Sequence, residues 1–211
     1  MAFIITVAQQ KGGAGKTTLA ANLAAAWSGQ LRVALLDIDP QRSLSRWYGL
    51  RTKAAKAHGA VHLSEVAGWR LAAELDRLRK SHDIVIIDSP PQIATDAKLA
   101  IRGADLVLVP MQPSMPDLWA AEGTLALALE EKRPVRVMLN RAAASGSLRA
   151  KVEAALAASG AACLASSLGN RVGFANAFAL GLGVSETAPK SLAAQELAAV
   201  VAEIETIRER A

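Results

Sequence analysis

The sequence predicts an α/β fold in which a mostly parallel sheet is covered by helices on both faces. Short apolar runs rich in Val and Ile alternate with longer segments of helical pattern, and the runs end on polar or turn residues. This alternation is typical of parallel strands joined by helical crossovers. A chain of 211 residues suits one substantial core. We therefore expect one domain, residues 1–211.

Five runs are predicted as strands because each is short, largely apolar and closed by a polar or turn residue. They lie at residues 2–8, 32–39, 83–89, 104–110 and 135–140. Helical patterns occur at residues 15–29, 65–81 and 117–132. Ligands of such sheets bind at the carboxyl ends of the strands, so the residues just after each run are the functional candidates.

The segment AQQKGGAGKTTLA, residues 8–20, joins the first predicted strand to the first predicted helix. Its glycine-rich turn comprises Gly12, Gly13, Ala14 and Gly15. The glycines let the backbone curl around phosphates, and the helix that follows directs free N–H groups at them. Lys16 is expected to reach the terminal phosphates, and Thr17 to bind Mg²⁺. Strand, glycines, GKT and helix in this order predict a P-loop NTPase.

Two residues of this segment depart from the generic pattern G-x-x-x-x-G-K-[ST]. Gln10 occupies the position of the first glycine, and Lys11 is a second lysine that the pattern does not require. The segment is therefore either a damaged nucleotide site or a site whose second lysine has a task of its own.

Three acids follow predicted strands. Asp88 ends the run DIVIID, where its carboxylate can hold a water of the Mg²⁺ shell opposite the loop. Asp37 and Asp39 lie in LLDIDPQ, and strand alternation places them on one side of the chain, where one of them can orient an attacking water. The alternative for this pair is two solvated turn acids before Pro40.

Composition excludes several classes of protein. Cys163 is the only cysteine, so one chain can build neither a disulfide nor a cysteine metal site, and a reducing cytoplasm fits. The N-terminal segment lacks the charges of a signal peptide and is too short to span a bilayer. The formal net charge of +5 is compatible with an acidic partner such as nucleic acid or an anionic membrane, or simply with solubility.

Four segments together resemble the ParA-type partition ATPases of the deviant Walker A group, which also contains MinD. They are KGGAGKTT, LLDIDPQRSLSRW, DIVIIDSPP and LVLVPMQPSMPDLWAAEG. The similarity covers nearly the whole chain, and in its short length the chain resembles the small ParF-like branch. The family pattern K-G-G-x-G-K-[ST] does not require glycine at position 10, so Gln10 is no defect.

The resemblance implies a role for Lys11 across a two-fold interface, where its charge neutralises the partner's nucleotide as an arginine finger does in trans. ATP then becomes part of a homodimer interface, and hydrolysis, slow without a stimulating partner, releases the dimer. The resemblance also implies that the proline-rich loop at residues 110–119 lies near the nucleotide and this interface.

The same resemblance assigns the remaining site residues of an ATP and Mg²⁺ site. Lys16 serves the nucleotide in cis, Thr17 binds Mg²⁺, Thr18 contacts phosphate, Asp39 positions water, Asp37 and Asp88 support the metal shell, and Asn140 reads adenine. An amide both donates to and accepts from the adenine edge, although Asn is also a common turn residue.

The implied partners are non-specific DNA and an adaptor or centromere-binding protein that stimulates hydrolysis, in the cytoplasm at the nucleoid. Candidate DNA contacts are Arg149, Arg171 and Lys190, in a region similar to the DNA-gripping part of related proteins. A second basic cluster comprises Arg42, Arg46, Arg51, Lys53 and Lys56. Charges of either set are also compatible with an ordinary solvated face.

Two other functions remain open at the level of sequence. A MinD-like membrane role needs an amphipathic terminal helix, whereas residues 193–211 set small aliphatic residues opposite glutamates. We therefore expect this segment to be a helix packed on the domain, and no stable membrane association. A metabolic P-loop ligase is the alternative from another class, and it is expected to turn over without DNA or a protein activator.

Overall fold

The computed structural model describes residues 1–66, 70–91, 95–143 and 147–211. Within them six strands form one sheet in the order β3-β2-β4-β1-β5-β6, and each pairing is parallel. The strands are β1 (Phe3–Val7), β2 (Val33–Asp37), β3 (Val61–Ser64), β4 (Ile84–Asp88), β5 (Leu106–Met111) and β6 (Val135–Leu139). The predicted parallel α/β fold is confirmed.

The helices of the described residues lie between and after the strands. They are α1 (Lys16–Trp27), α2 (Ser43–Arg51), α3 (Leu71–Ser81), α4 (Thr95–Gly103), α5 (Met115–Glu130), α6 (Ser147–Ala158), α7 (Val172–Ala179), α8 (Val184–Thr187) and α9 (Leu192–Glu209). None of these helices has the length and apolar character needed to cross a bilayer.

Two expectations from the sequence need correction. Strand β3 was not predicted, because it has only four residues and exposes His62 between the buried Val61 and the half-buried Leu63, as is typical of a strand at the edge of a sheet. The helix expected at 65–81 begins at Leu71, and Glu65 and Val66 precede it as irregular chain. The part of that prediction at 67–69 lies outside the described residues.

Successive side chains of a strand point to opposite faces of the sheet, so each face has a hydrophobic core. Ile5 of β1 packs in a cluster with helices α1, α2, α7 and α9, whereas Ile4 packs in a cluster with α3 on the opposite face. A third cluster joins β5 and β6 to α5 and α6. The C-terminal helix α9 buries Leu197, Val200 and Ile204 in the first cluster, so it packs on the domain as expected.

Helix α2 is attached to the C-terminal part of the fold by a buried ion pair. Arg51 is 3% exposed and Glu186 of α8 is fully buried, and two nitrogen–oxygen contacts of 2.9 Å join them. The guanidinium also lies over the ring of Trp47, 5.3 Å from its centroid. Arg51 was predicted to belong to a basic surface cluster, and this is wrong because its side chain points inward.

Candidate nucleotide site

The glycine-rich turn connects β1 to α1 at the carboxyl edge of the sheet. Gly13 and Gly15 adopt left-handed backbone conformations, with φ of +79° and +93°. A Cβ on Gly15 would lie 2.4 Å from the side-chain nitrogen of Asn140, so this position accepts no side chain without displacement. The turn is therefore shaped by two of its glycines, whereas Gly12 is exposed and has nothing within 4 Å of its Cβ position.

Helix α1 begins at Lys16 with Gly15 as its cap, and no side chain caps it. The first bond of the helix runs from Leu19 N to Gly15 O, which leaves the N–H groups of Thr17 and Thr18 without helical acceptors. Thr17 and Thr18 line a cleft of about 310 Å³ beside the turn. Free amides, a helix dipole and a lysine at one cleft suit an anion such as a nucleotide phosphate.

Lys16 is 6% exposed and its ammonium donates to the carbonyl of Gln9 at 3.1 Å. Burial lowers the pKa of Lys16, and the charges of Asp88 and Asp39 act in the opposite direction. The lysine therefore belongs to a small polar cluster inside the fold, with two carboxylates close enough to influence its charge.

Asp88 is fully buried, and neither of its carboxylate oxygens has a hydrogen-bond partner. Burial raises the pKa of Asp88 to about 7; Asp37 and Asp39 add to this effect, whereas the nearby Thr17 hydroxyl and Lys16 oppose it. A desolvated carboxylate with two unused oxygens is costly unless it meets a cation.

The residues present fit a magnesium ion. Mg²⁺ takes oxygen ligands, keeps several waters and needs only one or two carboxylates besides substrate phosphates. Asp88 offers unused oxygens, and Thr17 lines the adjoining cleft. Within the described residues no group of three or more His, Cys, Asp or Glu forms a metal cage, which agrees with a metal held largely by phosphate and water.

Asp37 lies beside Asp88 in the register of β2 and β4, but its oxygens are already engaged. Its Oδ2 accepts from both the backbone N and the hydroxyl of Ser45 at 2.8 Å, and its Oδ1 accepts from Asp39 N at 3.2 Å. Asp37 thus fixes the first turn of α2 to the end of β2. Its support of a metal shell stays a prediction.

Asp39 follows β2 and lines the cleft together with Lys16. One carboxylate oxygen, Oδ1, accepts from Gln41 N at 2.9 Å in a local turn, and the other has no hydrogen-bond partner in the described chain. The turn holds the carboxylate in place while one oxygen stays available to a water in the cleft. This geometry suits the predicted positioning of water.

A second cavity of about 390 Å³ adjoins the glycine-rich turn and is lined by Gly15, Thr18, Asn140 and Asn170 among others. Asn140 is 8% exposed, donates to Ala14 O at 2.8 Å and accepts from Arg141 N. Asn140 therefore braces the turn, and its reading of adenine stays a prediction. Asn170 is exposed at this cavity and was missed, because no motif precedes it in the sequence.

Lys11 is not among the residues that line the cleft of Lys16. Its ammonium donates to Asp117 Oδ2 at 2.6 Å, and the side chains are 39% and 2% exposed. Burial raises the pKa of Asp117, but donors from Lys11, Ser114 and Gln112 more than offset this and leave that pKa below its usual value. Asp117 lies in the first turn of α5, so the segment 110–119, in which only residues 112–114 form the loop between β5 and α5, contacts the residue before the glycine-rich turn. Its position near a dimer interface stays a prediction.

The three candidate DNA contacts have different surroundings. Arg149 pairs with Glu153 at 2.8 Å, and Arg171 pairs with Glu196 at 2.7 Å. Lys190 is exposed, and its ammonium has no partner among the described residues. Two of the three cations are therefore already neutralised by a carboxylate of the same chain.

Comparison with known proteins identifies the family of this chain. A family model described as the CobQ/CobB/MinD/ParA nucleotide binding domain matches residues 5–205. The chain is 30% identical to the maintenance of carboxysome distribution protein A of Halothiobacillus neapolitanus, over 92% of each protein. It is 34% identical to the chromosome-partitioning ATPase Soj of Thermus thermophilus, over 61% of this chain and 62% of that protein.

Two solved structures show the same fold at low sequence identity. The cell division ATPase MinD of Pyrococcus furiosus superimposes with a TM-score of 0.82 at 20% identity, covering 98% of this chain and 100% of that one. An ATP complex of a McdA variant from Cyanothece gives a TM-score of 0.78 at 22% identity, covering 96% and 95%. The resemblance to ParA and MinD proteins is thereby confirmed, and the chain belongs to the CobQ/CobB/MinD/ParA family of nucleotide-binding domains and is an ATPase.

Proposed function

We propose that this ATPase is a switch: ATP and Mg²⁺ favour a homodimer in which Lys11 of each protomer contacts the nucleotide of the other, and hydrolysis releases the dimer. The observation that carries the proposal is the position of Lys11. Lys16 serves the cleft, whereas Lys11 is turned toward α5 and is held by a single ion pair to Asp117. A partly exposed lysine beside the turn, unused by its own cleft, is suited to a contact in trans.

The chemistry of each protomer follows from its own residues. Lys16 and the free amides of α1 hold the phosphates, Thr17 and Asp88 hold Mg²⁺, and Thr18 contacts phosphate. Mg²⁺, when bound there, would neutralise charge on the nucleotide phosphates. The unused oxygen of Asp39 orients water, and the cavity at Asn140 receives the adenine. Hydrolysis is expected to be slow until an adaptor protein binds.

The proposed task is the positioning of an intracellular cargo on the nucleoid. Non-specific DNA binding by the ATP-bound dimer provides the track, and the adaptor selects the cargo. The names of the relatives, which concern carboxysome distribution and chromosome partitioning, support a positioning function. The chain's net charge of +5 supports a polyanionic partner, and we place the protein in the cytoplasm without stable membrane association.

The decisive experiment is the substitution Lys11→Ala. This variant should still bind ATP through Lys16, yet it should fail to dimerise with a non-hydrolysable ATP analogue, as measured by light scattering after size exclusion. The matched control is Lys80→Ala, which removes an exposed lysine from α3. A Lys11→Ala protein that dimerises as the wild type does would refute the trans role.

A further inference from the structure

The net positive charge of this chain arises in one segment. Residues 40–64 contain five Lys and Arg and no Asp or Glu. The chain has 24 Lys and Arg in all, so 19 remain elsewhere, and the 19 Asp and Glu balance them. The formal net charge of +5 therefore arises from this segment alone, which contains helix α2 and the turns after it.

The fold divides these five cations into two groups. Arg51 is buried against Glu186, and Arg42 pairs with Glu65 at the surface. The other three are exposed, and their side chains form no ion pair or hydrogen bond with the described residues; they are Arg46, Lys53 and Lys56. We call these three residues the α2 basic face.

Helix geometry and packing leave this face open. Leu44, Trp47 and Arg51 point into the fold, whereas Arg46 lies on the outer side of α2, and Lys53 and Lys56 lie in the turns that follow the helix. The turn after α7 packs beside the end of α2, since a Cβ on Gly181 would lie 2.3 Å from Arg51 N. No acid occurs between residues 154 and 185, so α7 brings no carboxylate to neutralise the face.

We propose that the α2 basic face binds the phosphate backbone of duplex DNA, an inference that rests on the non-specific DNA binding proposed above and names its surface. Three exposed cations that pair with no carboxylate of the described residues form an electrostatic footprint for a polyanion. A membrane is less suited to it, because Leu50 in α2 and Leu180 after α7, 46% and 58% exposed, give it two apolar side chains to insert, fewer than the apolar face of a membrane-binding helix presents. By contrast, Arg149 and Arg171 already have carboxylate partners.

The face is fixed relative to the nucleotide site. Ser45, one residue before Arg46, donates twice to Asp37 at the end of β2, and Gln41 donates to Asp39. Each protomer therefore carries the face at a fixed place beside its nucleotide site. The dimer presents two such faces, and the doubled number of phosphate contacts accounts for stronger binding with ATP.

The test measures DNA binding by fluorescence anisotropy with two unrelated duplexes, an ATP analogue or ADP, and a series of salt concentrations. The variant of the face replaces its three cations, as Arg46→Gln, Lys53→Gln and Lys56→Gln. A competing surface is removed by Arg149→Gln, Arg171→Gln and Lys190→Gln. A charge-matched control replaces three exposed lysines elsewhere, in α3, in the turn after α5 and in α6, as Lys80→Gln, Lys132→Gln and Lys151→Gln.

We expect the wild type to bind both duplexes alike and the variant of the face to bind them much more weakly. Three lost phosphate contacts should flatten the slope of log affinity against log salt by about 2.7, and lower the affinity at 0.1 M salt by about 500-fold. The charge-matched control should change neither quantity appreciably. ATP-dependent dimerisation, measured on the same samples, should be unchanged in the variant of the face.

Three outcomes would overturn the inference, and they distinguish a failure of the assigned surface from a failure of the proposed function. If the wild type binds DNA and the variant of the face binds equally well, the surface is wrong while the DNA-binding switch stands. If the charge-matched control loses as much affinity, only net charge matters. If the wild type binds no duplex with either nucleotide but binds vesicles rich in phosphatidylserine with ATP, both the surface and the proposed DNA partner fail.

Discussion

Replacing Glu186 by Gln should destabilise the protein strongly, because it leaves the buried Arg51 without a counter-charge. The carboxylate of Glu186 receives both terminal nitrogens of Arg51 at 2.9 Å and the backbone N–H groups of His58 and Gly183 at 2.6 and 2.9 Å. The guanidinium also donates to the Ser28 hydroxyl at 2.9 Å. These contacts join α2 to α8 and to the end of α1.

The expected cost is about 3–5 kcal/mol, the range for breaking a buried ion pair by removing one partner. Both side chains are 3% exposed or less, so water cannot replace the lost charge. For a domain of this size, the loss corresponds to a fall of about 6–20 °C in the melting midpoint. The double variant Arg51→Met, Glu186→Met should be destabilised less than Glu186→Gln, because no unpaired charge remains in it.

Thermal and urea unfolding of the apo protein measure this effect, with Glu130→Gln as the matched control. Glu130 pairs with Lys98 at the surface, where the two side chains are 66% and 40% exposed, so the midpoint of this variant should barely move. The reasoning about burial would be refuted if Glu186→Gln and Glu130→Gln shifted the midpoint equally.

Acidification provides a second check of the same pair. Burial raises the pKa of Glu186, but bonds from Arg51, Gly183 and His58 outweigh it and hold that pKa below the usual 4.5. The lowered pKa means that the stability due to this carboxylate is complete above about pH 4.5 and is lost as the pH falls through the folded pKa. The difference between the wild type and Glu186→Gln should therefore narrow in acid.

Further predictions concern the nucleotide site. Asp39→Ala should leave ATP binding and dimerisation largely intact and slow hydrolysis; a collapse of ATP affinity in calorimetry would show a structural role instead. In the presence of ATP, Mg²⁺ should raise the melting midpoint of the wild-type protein further, and Asp88→Asn should reduce this rise, since a neutral amide holds the ion poorly. Gly15→Ala should weaken nucleotide binding, because φ of +93° costs alanine about 1–2 kcal/mol and its Cβ meets Asn140; unchanged affinity would contradict the strained turn.

The parts of the fold that the sequence predicted are those whose pattern is local. Strands β1, β2 and β4 are buried along their whole length, so each is a continuous apolar run. Strand β3 shares a sheet with them but lies at its edge, and a four-residue segment with an exposed histidine carries no such pattern. Burial on two faces, rather than strand character as such, made the prediction possible.

The candidate site divides in a similar way. Gly15, Lys16 and Asp88 were predicted from motifs because their roles depend on neighbours in sequence. The partners of Lys11 and Arg51 were not, because Asp117 lies 106 residues away from the first and Glu186 lies 135 residues away from the second. A basic run could not show which of its members points inward, and that required the packing of α8 against α2.

The site is connected to two helices by contacts of different strength. Asp37 attaches α2 through two part-buried bonds of 2.8 Å to Ser45, whereas Lys11, 39% exposed, attaches α5 through one ion pair to Asp117. Two bonds to one carboxylate hold more firmly than one ion pair whose lysine water can reach. A nucleotide that attracts Lys11 away from Asp117 would therefore leave α2 in place and free the start of α5. In the proposed dimer, DNA affinity therefore rises because two α2 basic faces, rather than one, contact the DNA. The contacts of α5 are those that change when a nucleotide binds.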